Sequence, residues 1–97
     1  MDKTTAEIVV ETLTKLGTEY IFGIPGVHSI ELYRSLKGKR LKHITARHEQ
    51  GAGFMADGYA RISGVPGICS VITGPGLTNI ITPVTQAYAD RIPMLVI

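Results

Sequence analysis

The 97-residue sequence has little of several features, and each shortage excludes a class of protein. The single cysteine, Cys69, permits no internal disulfide, which is typical of a reducing, cytoplasmic environment. No stretch approaches the ~20 apolar residues of a membrane span, and the N-terminal segment lacks an apolar signal core. The net charge of +2 is mild. We therefore expect a soluble, cytoplasmic protein with no membrane partner and no disulfide framework.

Basic and metal-ligating residues show little of the clustering that nucleic-acid and metal sites require. Four of the ten Lys and Arg residues lie between Lys37 and Lys42. No aromatic residue is interleaved with them to stack on bases, which favours a solvated loop. None of the three histidines shares an i, i+4 helical face with another, and no cysteine pair accompanies them. We predict no nucleic-acid partner and no metal ligands in this chain.

Hydrophobic periodicity divides the chain into alternating helices and strands, with enough apolar residues for one small domain. A capping box, Thr4 followed by Glu7, opens the first helix, Gly17 ends it, and Ser29 is placed to cap the second. The predicted helices cover about residues 6–16, 30–36, 49–64 and 77–89, and the predicted strands about residues 20–24, 41–46, 68–73 and 92–97. This order predicts an α/β fold, a doubly wound parallel sheet with helices on both faces.

The sequence stops inside its last apolar strand, residues 94–97, with no turn, cap or helix after it. Proteins normally blunt or cover such a strand edge, because an exposed one promotes aggregation. We therefore expect the chain to be a fragment in which the fold is incomplete.

Two charged features are interpreted as structural. Asp57 and Arg61 are four residues apart on a predicted helix, a spacing that predicts a weak surface ion pair. Asp90 and Arg91 form a turn after the last helix, where they could equally meet a partner subunit.

Glu49 is the most informative position, because it places a carboxylate where a strand ends and a helix begins. The residues that follow it, such as Gly51 and Phe54, are small or apolar. A carboxylate partly removed from water in such surroundings needs a partner. In open α/β sheets, ligands bind at the carboxyl ends of the strands. A ligand is therefore a candidate for that partner.

Two glycine-containing turns follow other predicted strands, namely Pro25-Gly26 and Thr73-Gly74-Pro75-Gly76. Because parallel strands end at the same edge of a sheet, we expect both turns and Glu49 to lie along one rim. Convergence of three strand ends is the geometry of a small-molecule site.

The segment from Gly74 to Asn79 partly matches the glycine fingerprint of nicotinamide-binding and flavin-binding domains. The match fails at the last glycine position of the fingerprint, which Asn79 occupies. It also fails at the acidic residue that the fingerprint places at the end of the next strand, because Asp90 precedes a strand. Dinucleotide binding by this loop is therefore disfavoured. Two interpretations stay open: a tight turn that needs glycine only for its backbone angles, and a loop that approaches a ligand or partner chain closely.

Five ordered motifs resemble those of thiamin-diphosphate-dependent enzymes, and together they cover nearly the whole chain. They are FGIPG at 22–26, RHEQGA at 47–52, ADGYAR at 56–61, GPGLTN at 74–79 and AYADRIP at 87–93. Residues 1–97 look like the N-terminal part of the pyrimidine-binding domain of the acetolactate synthase, pyruvate oxidase and 2-oxo acid decarboxylase group. Residues 47–53 are most similar to acetolactate synthases and residues 23–36 to 5-guanidino-2-oxopentanoate decarboxylase, which leaves that choice open.

The resemblance implies that Glu49 is catalytic. In this family the matching glutamate hydrogen-bonds N1′ of the cofactor's aminopyrimidine and favours the imino tautomer, whose 4′-nitrogen removes the thiazolium C2 proton. The cofactor then attacks the carbonyl of a 2-oxo acid and carbon dioxide leaves, after which protonation or carboligation follows. The resemblance thus implies a lyase or a transferase.

The resemblance also implies the cofactor-binding residues. Besides Glu49, these are Pro25, Gly26, Thr73, Gly74, Pro75, Gly76 and Asn79. The resemblance implies a magnesium ion whose ligands lie in a diphosphate-binding domain. That domain and the family's central domain are absent from this chain. Some members of the group also bind FAD. The family's site lies between subunits, which implies a homodimer or homotetramer and an inactive isolated fragment.

One departure and one alternative accompany the resemblance. Val27 stands where some decarboxylases of the group carry a polar or acidic residue, which disfavours simple pyruvate decarboxylase chemistry. The alternative is a non-catalytic relative that keeps the domain as an interaction or regulatory module. Glu49 argues against that alternative, because a structural domain gains little from a carboxylate at an apolar junction.

Overall fold

The computed structural model describes residues 2–97, in which helices alternate with short strands. The helices are α1 (Thr5–Lys15), α2 (Ile30–Ser35), α3 (Glu49–Ser63), α4 (Pro75–Asn79) and α5 (Ile81–Ala89), and the strands are β1 (Tyr20–Gly23), β2 (Lys42–Thr45), β3 (Gly67–Ser70) and β4 (Met94–Val96). A 3-10 turn over Val27–Ser29 leads into α2. Within residues 2–97, no helix combines the length and apolar character needed to cross a membrane.

The four strands form one parallel sheet in the order β2-β1-β3-β4. The central pair of strands places Ile21 opposite Ile68 and Phe22 opposite Cys69. Because side chains alternate between the two faces of a strand, Ile21 and Ile68 share one face and Phe22 and Cys69 share the other. The predicted doubly wound parallel sheet is confirmed, although each strand is shorter than predicted.

Each face of the sheet has its own apolar core. One core joins α1 to the sheet and consists of Val10, Leu13, Ile21, Leu41 and Ile68. The other joins α3 to the sheet and consists of Phe22, Ala46, Ala52, Ala56, Cys69, Val71 and Ile80. The second core is rich in alanine, and small side chains let α3 lie close to β3. Helices therefore cover both faces, as a parallel sheet with apolar strands requires.

Helix α1 has the caps that the sequence predicts. Thr4 Oγ1 accepts a hydrogen bond from the Glu7 N–H at 3.2 Å, and Glu7 Oε2 accepts one from the Thr4 N–H at 2.8 Å. At the other end, Gly17 has a φ of +89°, and the Thr18 N–H donates to the Leu13 carbonyl at 3.0 Å. The predicted capping box and glycine stop of α1 are therefore confirmed.

The predicted single helix over residues 77–89 is wrong, because the structure divides it into α4 and α5. Ile80 separates them, with φ −97° and ψ −2°. Pro83 lies in the first turn of α5 and has no N–H to donate to the Asn79 carbonyl four residues earlier. Its ring would also clash with a helical carbonyl at that position. The proline therefore ends α4 at Asn79.

The predicted cap of α2 by Ser29 is also wrong. Its Oγ accepts a hydrogen bond from the Gly26 N–H at 3.1 Å and donates one to the Gly26 carbonyl at 3.1 Å. Within the described residues, the Ser29 side chain makes no capping bond to α2. Its hydroxyl stabilises the loop that contains Gly26 instead.

Asp57 and Arg61 form the predicted ion pair, but Asp57 is only 3% exposed, so the predicted surface position of its carboxylate is wrong. Arg61 Nε donates to Asp57 Oδ2 at 2.8 Å, and Gln86 Nε2 donates to the same oxygen at 3.3 Å. Arg61 Nη2 also donates to Asp90 Oδ2 at 2.6 Å. Helical spacing brought Asp57 and Arg61 together, but the packing of α3 on α5 buried the carboxylate. The network joins α3 to the C-terminal end of α5.

Cys69 is fully buried in the core. Its Sγ lies 3.7 Å from the Ala52 carbonyl, to which the thiol donates. Burial raises the pKa of the Cys69 thiol to about 12. Since the thiolate is the reactive form, this cysteine is a core residue and not a nucleophile.

Gly53 lies where α3 meets α5, and it gives a direct test of that packing. A side chain at Gly53 would collide with the Pro83 ring and come within 2.9 Å of Ile80 Cγ1. We expect Gly53→Ala to lower the free energy of unfolding by about 1–3 kcal/mol, because overpacking must push the helices apart. Denaturant titration of the protein measures this change.

Gly58→Ala on the same helix is the matched control, because the space around Gly58 is open. It should raise the free energy of unfolding by about 0.5–1 kcal/mol through helix propensity alone. A similar stabilisation by both substitutions would contradict the close contact at Gly53.

Candidate functional site

Three segments with predicted site residues lie at the carboxyl end of the sheet. β1 leads to Pro25-Gly26, β2 leads to Glu49 at the start of α3, and β3 leads to the segment 73–76 at the start of α4. The three strands are parallel neighbours, so their carboxyl ends share one edge. We call this edge, with the three segments, the rim.

Two of these segments touch each other at Ile72. A side chain at Gly26 would collide with the Ile72 side chain, and one at Gly76 would come within 2.9 Å of Ile72 Cγ2. A hydrogen bond of 3.0 Å between His28 Nδ1 and Thr73 Oγ1 joins the same two segments. Glycine is favoured at both positions, because a Cβ at either one would force the Ile72 side chain to shift.

Gly74 has a different requirement, which comes from its own backbone. Its φ is +75° and its ψ is −113°, a region that residues with side chains rarely adopt. Apart from its two neighbours in the chain, no described residue has an atom within 4 Å of the position that its Cβ would take. Pro75 follows at the start of α4, where its missing N–H costs nothing. The turn therefore presents bare backbone to open space at the rim.

Glu49 is the first residue of α3 and is half-buried. Its Oε2 accepts a hydrogen bond of 3.2 Å from Asn79 Nδ2. Asn79 is the last residue of α4, so the break between α4 and α5 that Pro83 causes lies beside Glu49. The structure thus joins two predicted site residues that are 30 positions apart in the sequence.

His48 caps the helix that Glu49 begins. Its backbone is extended, with φ −148° and ψ 143°, and its Nδ1 accepts a hydrogen bond from the Gln50 N–H at 3.0 Å. The sequence gives little sign of this cap, because the usual N-cap residues are Ser, Thr, Asp and Asn. The imidazole accepts a hydrogen bond from an N–H at the N-terminus of α3 that has no partner within the helix. This bond holds the backbone at the start of the helix, where Glu49 lies.

His43 belongs to a separate contact on β2. The Tyr33 hydroxyl lies 2.8 Å from His43 Nε2, and Thr45 Oγ1 lies 3.2 Å from His43 Nδ1. Partial burial lowers the pKa of His43 and raises the pKa of Tyr33. Each of the three histidines has its own hydrogen-bond partner within this chain. Among residues 2–97, no group of three or more His, Cys, Asp or Glu side chains is placed to hold a metal ion.

The predicted site residues form two groups on the rim. The first lies on the two segments that meet at Ile72 and comprises Pro25, Gly26, Thr73, Gly74, Pro75 and Gly76. The second is the hydrogen-bonded pair of Glu49 and Asn79. Sequence reasoning missed His28, His48 and Ile72, which hold these groups in place. The sequence carries no signal that identifies Ile72, because an apolar residue after a strand cannot be distinguished from a residue of the hydrophobic core.

Comparison with known proteins gives one family. The model described as "Thiamine pyrophosphate enzyme, N-terminal TPP binding domain" matches residues 3–97. A probable 2-ketoarginine decarboxylase, AruI, of Pseudomonas aeruginosa is 60% identical over 94 residues, which are 97% of this chain and 17% of the relative. An acetolactate synthase of Mycobacterium bovis is 45% identical over 95 residues, 97% of this chain and 15% of the relative.

A third relative, the acetolactate synthase large subunit of Lactococcus lactis, is 46% identical over 92 residues. The match covers 94% of this chain and 16% of that protein. The chain therefore spans only 15–17% of the length of these curated relatives.

The His48 cap can be tested by two substitutions at one position. His48→Ala should lower the free energy of unfolding by about 0.5–2 kcal/mol, because the Gln50 N–H loses its partner. His48→Asn should recover most of that loss, since asparagine is a preferred N-cap residue. Denaturant titration of both variants measures the difference, and an asparagine variant as unstable as the alanine variant would contradict a capping role.

Proposed function

The chain belongs to the thiamine pyrophosphate enzyme family as its N-terminal TPP-binding domain, and on that basis we propose a function for the whole protein. It is a thiamin-diphosphate-dependent 2-oxo acid decarboxylase or carboligase, and this chain is the N-terminal part of its pyrimidine-binding domain. The higher identity to the relative named as a decarboxylase, 60% against 45%, favours protonation over carboligation once carbon dioxide has left.

Glu49 carries this proposal. Its half-buried carboxylate lies on the rim, 3.2 Å from the Asn79 amide, beside two segments with exposed backbone. A domain used only for interaction or regulation gains little from a carboxylate held there. An enzyme that must hydrogen-bond a ring nitrogen of a cofactor needs such a group.

The residues of the rim fit the aminopyrimidine end of thiamin diphosphate. A carboxyl group can share a proton with a ring nitrogen, and Glu49 supplies one. The space is open at Gly51, in the first turn of α3, and at Gly74, so a flat ring has room beside the backbone. Main-chain groups at the rim add hydrogen-bonding capacity without bulk.

The proposed mechanism assigns distinct tasks to the residues of this chain. Glu49 holds a proton between its carboxyl group and N1′ of the pyrimidine, and the Asn79 amide orients that carboxyl group. Gly26, Gly74 and Gly76 let the backbone approach the cofactor closely. When bound, the cofactor supplies the electron sink for decarboxylation of the 2-oxo acid.

The remaining features of the enzyme are proposed from the family resemblance. Magnesium and the diphosphate bind to a domain outside residues 1–97, and a central domain also lies outside them. A second copy of the protein completes the site, in a cytoplasmic homodimer or homotetramer. Absorbance of the purified full-length protein decides whether it also carries FAD.

Glu49→Gln in the full-length protein tests the proposed role of the carboxylate. We expect activation of the cofactor to slow by about 100- to 10,000-fold, because glutamine cannot exchange a proton with the pyrimidine. Exchange of the C2 proton of bound thiamin diphosphate for deuterium, followed by NMR, measures this step.

Glu19→Gln is the matched control, because Glu19 is an exposed acid next to the amino end of β1, away from the rim. Its exchange rate should equal that of the wild type. Wild-type exchange in Glu49→Gln would refute the catalytic role, and failure of the wild-type protein to bind thiamin diphosphate would favour a non-catalytic module.

A further inference from the structure

His28 is a titratable side chain at the rim that neither the proposed cofactor site nor a helix cap uses. It lies in the 3-10 turn Val27–Ser29, two residues after Gly26, and its side chain is exposed. Its Nδ1 lies 3.0 Å from Thr73 Oγ1, whereas its Nε2 makes no hydrogen bond within residues 2–97. The imidazole is therefore held at one nitrogen and open at the other.

Hydrogen bonds within the turn hold His28 in place. Ser29 Oγ bonds both the N–H and the carbonyl of Gly26 at 3.1 Å, and the Ser29 N–H donates to the same carbonyl at 3.1 Å. Gly26 in turn packs against Ile72. Proton transfer needs a group at a defined position relative to the reacting atom. These contacts give His28 such a position, beside the segment 73–76 of the proposed cofactor site.

Decarboxylation followed by protonation requires an acid at the rim. When carbon dioxide leaves, the carbon atom that carried it keeps an electron pair, and this atom must gain a proton before an aldehyde can form. The Glu49 carboxyl group already shares its proton with N1′ in the proposed function. Arg47 is no substitute, because an arginine guanidinium does not lose its proton in proteins. The titratable groups that remain next to the three rim segments are His28 and His48.

The hydrogen-bond partners distinguish these two histidines. His48 Nδ1 accepts a bond from the Gln50 N–H at 3.0 Å, so His48 must be neutral to cap its helix. The partner of His28 is the Thr73 hydroxyl, which can accept a hydrogen bond from Nδ1–H. That bond is possible in both the imidazolium and the neutral form of His28. His28 can therefore release the proton on Nε2 while its ring stays bonded to Thr73.

We propose that His28 is a catalytic residue, the general acid that protonates the product carbon after carbon dioxide has left. The inference rests on the proposed function, which places the 2-oxo acid at the rim. The Nε2–H bond breaks and its electron pair stays on the imidazole, while the proton and the electron pair on carbon form the C–H bond of the aldehyde. A proton from solvent restores the imidazolium, so the step oxidises and reduces nothing. Thr73 is a positioning residue, because its hydroxyl orients the ring.

His28→Asn in the full-length protein, with thiamin diphosphate and magnesium, separates proton transfer from positioning. The asparagine amide can still donate to Thr73 Oγ1, but it cannot release a proton to carbon. When hexacyanoferrate(III) is present, it oxidises the carbon that is not protonated, and water completes a carboxylic acid instead of an aldehyde. We expect the ratio of acid to aldehyde to rise about 100-fold in the variant, because general acid catalysis is typically worth at least that much.

The substrates for this assay are 2-oxo acids from pyruvate to 5-guanidino-2-oxopentanoate, and chromatography of the two products gives the ratio. Both products come from one protein sample, so a loss of folded protein does not change the ratio. Two measurements without substrate accompany it, namely calorimetric affinity for thiamin diphosphate and exchange of its C2 proton. Both should equal those of the wild type, because His28 acts after the cofactor has been activated.

Substitutions of Thr73 test the orientation of the ring. Thr73→Val should raise the ratio about fivefold, since the ring loses one hydrogen bond, and Thr73→Ser should keep the wild-type ratio because serine retains the hydroxyl. His43→Asn is the matched control. His43 Nε2 also lies 2.8 Å from a hydroxyl, but that hydroxyl belongs to Tyr33 of α2 and not to the rim. Its ratio should equal that of the wild type.

An unchanged ratio in His28→Asn would overturn the inference. If the affinity for thiamin diphosphate also fell, His28 would instead be part of the cofactor site. Equal ratios in Thr73→Ser and Thr73→Val would remove the positioning role of Thr73. In each case the wild type still decarboxylates 2-oxo acids, and the proposed function stands. A wild type that decarboxylates none of them would overturn both.

Discussion

β1 and β3 end in direct backbone contact, and the geometry of the rim depends on that contact. Gly23 pairs with Ser70, and a side chain at Gly23 would collide with the Ser70 carbonyl. The same closeness continues one loop further, where Gly26 packs against Ile72. Because β1 and β3 leave the sheet side by side, the segments that follow them meet. The hydrogen bond between His28 and Thr73 then becomes possible.

A second packing constraint brings the polar pair of the rim together. Pro83 ends α4 at Asn79, and Gly53 lets α3 lie against Pro83. Asn79 then lies within hydrogen-bonding distance of Glu49 at the start of α3. Apolar contacts that involve neither polar group therefore fix the relation between them. Preorganisation of this kind avoids the cost of ordering the side chains when a ligand binds.

The sequence predicts the features that depend on neighbouring residues or on periodicity. The caps of α1, the start of α3 at Glu49, the α/β fold and the family all follow from local patterns. The contacts of Glu49 with Asn79 and of His28 with Thr73 join residues 30 and 45 positions apart, so they depend on tertiary packing. Asp57 shows the same limit, because helical spacing identifies its partner but not its burial. The roles given to the rim residues come from the family resemblance and not from spacing.

The central claim is that this chain supplies the pyrimidine-binding half of a cofactor site, with Glu49 as the group that meets the ring. A crystal structure of the full-length protein with thiamin diphosphate tests it most directly. The account predicts a Glu49 carboxylate oxygen about 2.6–3.2 Å from N1′ of the pyrimidine, with the backbone of residues 74–76 against the cofactor. A bound cofactor whose N1′ lies beyond hydrogen-bonding distance of Glu49 would contradict it.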